Sequence, residues 1–99
     1  MDIRILTSEV RVDCENIQFS LGLNNTSDSN KTINKVVGEV YKSNLKLIDE
    51  LISVNNYIME SYKKDPYYRD KLTPLEARGE TYNKIKTNIK NKIEILNLL

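Results

Sequence analysis

Ninety-nine residues with 15 Lys plus Arg against 14 Asp plus Glu, no His, no Trp and one Cys suit a single domain spanning 1–99. Without His there is no imidazole base, Cys–His dyad or Ser–His–Asp triad, and one Cys supplies neither an internal disulfide nor a usual structural zinc site. A net charge of +1 exerts no long-range pull on nucleic acid or anionic membrane; with no run of 18 apolar residues and no signal-peptide pattern after Met1, the expectation is a cytoplasmic protein without membrane insertion.

Residues 2–23 admit two readings. Val10, Cys14, Ile17 and Leu21 fall at i, i+4, i+7 and i+11, with Thr7 or Ser8 available as a cap and Gly22 as a stop, which is a helix. Ile3 and Ile5, then Val10, Val12 and Cys14, then Ile17, Phe19, Leu21 and Leu23 alternate, which is a β-meander. No Asn-Gly or Asp-Gly turn separates these runs, so the helix is favoured and an α+β fold is the alternative. This first third is acidic, with Arg4 and Arg11 against Asp2, Glu9, Asp13, Glu15 and Asp28.

The polar run 24–30 reads as a loop, with Asp28, Ser29 or Asn30 able to cap the next helix. From Thr32 to about Lys64 the pattern is a long helix with two adjacent apolar seams. Ile33, Val37, Val40, Asn44, Leu47, Leu51, Val54 and Ile58 form one; Tyr41, Leu45, Ile48, Ile52, Met59 and Tyr62 form the other. Ala occurs once, at Ala77, so helix stability has to come from packing rather than intrinsic propensity. Pro66 ends the long helix, and Asp65-Pro66 is itself a cap and first-turn pair for a short new one. Thr73-Pro74-Leu75-Glu76 has the spacing of a capping box and predicts a third helix from Thr73. Leu75, Tyr82, Ile85, Ile89, Ile93 and Leu96 form its apolar stripe. Gly38 and Gly79, each inside a helix, suggest close approach of a neighbour or a kink. The expected fold is mainly α: a long antiparallel helical hairpin with a short N-terminal helix.

Few residues have the surroundings chemistry needs. Asp13 and Glu15 beside Cys14 would raise its thiol pKa, which is the reverse of activation. Asp49 and Glu50 are adjacent in sequence and do not share a helix face. The glycines are isolated, and no carboxylates fall at EF-hand spacing. No enzyme activity, cofactor or metal dependence is expected. Tyr57, Tyr62, Tyr67 and Tyr68 alternate with Lys63, Lys64, Arg69 and Lys71 near the hairpin tip. They could bury their rings where two helices turn, contact a protein, or stack on a nucleotide. Because one returning helix covers only one seam, Asn44, Leu47, Leu51, Val54 and Ile58, with Tyr62, Tyr67 and Tyr68 at the tip, are the expected interaction residues. The expected occupant is a helical protein or a second copy of the chain, with nucleic acid disfavoured.

The string Met1-Asp2-Ile3-Arg4-Ile5, then Ser8-Glu9-Val10, Ile17 and Leu21, resembles the opening of the small helical WXG-like proteins that accompany LXG toxins in Gram-positive type VII secretion. The likeness runs through the 24–30 loop into the long helix with Asn44, Leu47 and Leu51 and ends near Lys64-Asp65. The chain departs from that family in lacking Trp, hence the W-x-G turn, in lacking an aromatic followed by an acid four residues on, and in carrying the extra helix from Thr73. The resemblance implies a helper or chaperone that binds the helical N-terminal region of a toxin, held in the cytoplasm or co-exported without a cleaved signal peptide. Two other readings stay open: a mobile-element protein that binds a nucleotide or inhibits a host defence, and an immunity protein against a toxin or bacteriocin.

Overall fold

The structure, a computed structural model, describes residues 3–99. Met1 and Asp2, where both the family-like string and the strand alternative begin, lie outside the described residues. Three α-helices follow in order, α1 (Ile3–Leu21), α2 (Ser27–Lys63) and α3 (Leu72–Leu98), with a 3-10 helix at Pro66–Lys71 between the last two. The β-meander is not formed, and residues 3–21 are helical. The helical period puts Leu6 and Val10 in the core, with Cys14 and Ile17 packed against it. A strand would have divided those same side chains between two faces.

Local signals explain the ends, though not always those the sequence suggested. Gly22 adopts φ +65°. Its N–H reaches Phe19 O at 3.1 Å and the Leu23 N–H reaches Gln18 O at 3.2 Å, the pair of bonds that defines a Schellman stop. Thr7 is not a cap; α1 already begins at Ile3, and the Thr7 hydroxyl donates to Ile3 O at 2.8 Å. α2 starts ahead of Asp28, Ser29 and Asn30. Thr26 is the cap, its Oγ1 accepting the Ser29 N–H at 3.2 Å. The helix is 37 residues long, about 55 Å at 1.5 Å per residue. At its far end Asp65 caps the 3-10 helix as expected, its carboxylate accepting the Tyr67 N–H at 3.0 Å, with Pro66 in the first turn.

The capping box at 73–76 is not used. The 3-10 helix runs without a break into α3, which starts at Leu72 and has no side-chain cap. Thr73 and Pro74 are therefore inside the first turn. Proline is tolerated there because first-turn N–H groups have no helical acceptor to lose. Pro66 had already turned the chain, so no second start was needed.

α3 folds back along α2. Gly38 faces Leu96, Asp49 Oδ1 pairs with Lys86 Nζ at 2.6 Å, and Asn55 meets Gly79, which together set an antiparallel register. α1 packs on the open end of this hairpin. Leu6 and Val10 meet Ile33, Val37 and Tyr41 of α2 and Ile95 and Leu96 of α3 in one cluster. The molecule is a rod of 61 × 24 × 18 Å, and its core lies toward one end.

Candidate interaction surface

The two seams of α2 separate cleanly. The side facing α3 buries Tyr41 and Ile48 and half-buries Leu45, Ile52, Met59 and Tyr62. The other seam is buried only at Ile33 and Val37, which belong to the cluster that α1 completes. Beyond α1 the same stripe emerges into solvent as Val40, Asn44, Leu47, Leu51 and Val54, and it closes with half-buried Ile58. Leu47 and Val54 are each 57 % exposed and Leu51 39 %. Where the stripe leaves α1 it borders a groove lined by Asn16 and Ile17 of α1, Val40 and Asn44 of α2, and Ile89 and Lys92 of α3.

Asn44 is therefore exposed surface, not a buried polar member of a packed seam. The buried polar residue is Asn55, at 2 % exposure, which the sequence pattern did not single out. Its Nδ2 donates to Leu75 O at 2.9 Å and its Oδ1 accepts from Arg78 Nε at 2.9 Å. A methyl group added at Gly79 would lie 3.1 Å from Nδ2, so the glycine makes room for this amide. The available signal was its position seven residues after Ile48, on the seam that α3 covers.

The tip residues come together as a group of their own. Tyr62 and Tyr68 stack with ring centroids 4.8 Å apart. Tyr67 meets Tyr68 edge-on at 4.9 Å, and Lys71 Nζ sits 5.1 Å from the Tyr68 centroid. These rings contact one another without being buried, Tyr62 and Tyr68 remaining half-buried. Only Tyr67, at 75 % exposure, and Tyr57 on the outer side of α2 present most of their surface. The eight expected interaction residues thus form two patches, the seam from Asn44 to Ile58 and the tip at Tyr62, Tyr67 and Tyr68.

The polar groups at the other end hold α1 in place. Lys92 Nζ pairs with Glu9 at 3.0 Å and stands 3.9 Å from Asp13, and Tyr41 donates its hydroxyl to the same Asp13 carboxylate. Burial first, then this bond and the nearby carboxylates, push the Tyr41 phenol far above its ordinary range. Cys14 is raised by burial and, secondarily, by Asp13 and Glu15. Its Sγ faces Asn34 Oδ1 at 3.8 Å, so its surroundings favour the thiol. Among the described residues no group of three or more His, Cys, Asp or Glu could hold a metal, and no helix is long and apolar enough to cross a membrane. Comparison with protein-family models, curated proteins and solved structures finds no match for this chain.

Proposed function

We propose that the protein is a non-enzymatic binding module that receives an amphipathic helix of another protein on the free seam of α2. One observation carries this reading: a single heptad stripe is buried by a helix of the chain itself over Ile33 and Val37 and is then left open over Leu47, Leu51 and Val54. α1 illustrates what fits there, since an amphipathic helix already completes the first part of the stripe. An exposed apolar stripe on a small monomer is costly in water unless something covers it. Helix-in-groove recognition uses this spacing of anchors. The resemblance to small WXG-like partners of LXG toxins supports a finer reading, in which the bound helix belongs to the N-terminal region of a secreted toxin and this chain acts as its chaperone.

The test is affinity capture from the native host with wild-type protein and with Leu51→Glu, followed by mass identification. The wild type is expected to retain a protein with a helical N-terminal region and the variant to lose it, with far-UV circular dichroism unchanged between the two. A folded Leu51→Glu protein that keeps the same partner at the same yield would overturn the proposal.

A further inference from the structure

We propose that, in the absence of a partner, a second copy of this chain covers the seam, the two α2 helices pairing antiparallel about a two-fold axis between Leu47 and Leu51. Self-association and partner binding then become alternative uses of one surface; the alternation rests on the partner-binding reading, whereas the pairing does not.

The surface area calls for an occupant. The chain exposes 7284 Å², whereas a compact protein of 11.5 kDa exposes about 5,800 Å². Its radius of gyration is 18.0 Å against the roughly 13 Å expected of a compact domain of this length. The excess area is about 1,500 Å², more than the ~800 Å² that each partner contributes to a standard interface.

The order of side chains along the seam identifies the occupant. In an antiparallel pair the two-fold axis is perpendicular to the helix and turns it end for end, so the stripe has to complement its own reversal. Placed between Leu47 and Leu51, the axis sets Leu47 against Leu51 of the second copy and Val40 against Ile58. The third layer sets Asn44 against Val54. Leucines thus meet at the centre and β-branched residues at the ends, and Asn44 lies at the groove edge beside Asn16, where its amide keeps access to water. The free length agrees. α1 covers the stripe up to Val37, and the stripe ends at Ile58 just before the tyrosine stack, leaving about 27 Å from Val40 to Ile58. That stretch is centred on the same point between Leu47 and Leu51, so two copies cover each other's free seam with α1 as the end stop.

Sedimentation of the purified full chain should give twice the monomer mass at tens of micromolar. Leu51→Glu should sediment as a monomer at the same concentration with its helical circular dichroism retained. Register is read separately, in a Cys14→Ser background. Glu50→Cys borders the axis and should form an intermolecular disulfide under mild oxidation, whereas Lys35→Cys, outside the free stretch, should not. A wild-type monomer throughout that range, a folded Leu51→Glu dimer, or equal cross-linking at positions 35 and 50 would each overturn the pairing. Native mass measurement of a complex captured from the host tests the alternation, with one copy of this chain per complex expected and two copies contradicting it. A monomeric wild type that still captures its partner sinks this inference and leaves the partner-binding reading intact. A dimer that captures nothing does the reverse.

Discussion

Asn55 and Asn44 differ by eleven residues, three helical turns, yet one is sealed between helices and the other is in water. Both lie beside apolar neighbours on nearly the same face of α2, so height along the rod decides their fates: α3 closes over Asn55 at Leu75 and Gly79, whereas Asn44 borders an open groove beside Asn16. Asn55 bonds Leu75 O and Arg78 Nε at once, so Asn55→Ala removes two hydrogen bonds from the buried face of the helix pair and leaves a space where the amide was. The expected cost is about 2 kcal/mol in a urea titration. Tyr41 gives a prediction in pH. Its phenol is raised above the ordinary 10.0, so the unfolded chain loses that proton at a lower pH than the folded one. The stabilisation is fully present below about pH 10 and declines as pH rises further, because the unfolded state then binds fewer protons. Wild-type stability should fall above pH 10, and Tyr41→Phe should flatten that fall when denaturation midpoints are compared from pH 8 to 11.

At the level of elements, the helix ends separate interchangeable signals from used ones. Thr26, Asp65 and Thr73 all have side chains suited to capping, and only the first two accept a backbone N–H. Thr26→Ala is expected to destabilise by about 1 kcal/mol. Thr73→Ala should change stability by less than about 0.5 kcal/mol, since its side chain caps nothing. Gly22 closes α1 at a positive φ with open space around it. Gly22→Ala should therefore cost about 1 kcal/mol from backbone strain alone. Equilibrium denaturation of the three variants in one buffer checks the ranking. Equal losses for Thr26→Ala and Thr73→Ala would contradict the observed start of α3.

For the molecule as a whole, stability is unevenly placed. Leu6, Val10, Ile33, Val37, Ile95 and Leu96 are buried together where three helices meet, while the other half of the rod is a two-helix pair held by Ile48, Leu75 and the Asn55 bonds. Val10 is 0 % exposed, and Val10→Ala is expected to cost roughly 2–3 kcal/mol through lost burial and a residual cavity. Because α1 is the layer that completes this cluster, the same substitution should speed hydrogen exchange in α1 more than in α2 near Asn55. Uniform acceleration along the rod would show that the two ends unfold together.

Local sequence was enough to set the two long helices and part of their punctuation, but not the choice of helix over strands at 2–23, the cap at Thr26 or the start of α3 at Leu72. Apolar spacing through Val37, Tyr41, Ile48 and Ile52, Pro66 with its Asp65 cap, and Gly22 after Leu21 act within a few residues, where backbone geometry and hydrogen-bond reach leave little choice. It also showed that α2 carries two seams and that one returning helix covers only one. Which seam turns inward was left to the packing of the three helices. Ile33 and Val37 lie on the same stripe as Leu47 and Val54, yet only the first pair meets α1. The identity of the covered face depends on Gly79 admitting Asn55, on Lys92 joining Glu9 and on α1 being 19 residues long, contacts between residues far apart in the chain.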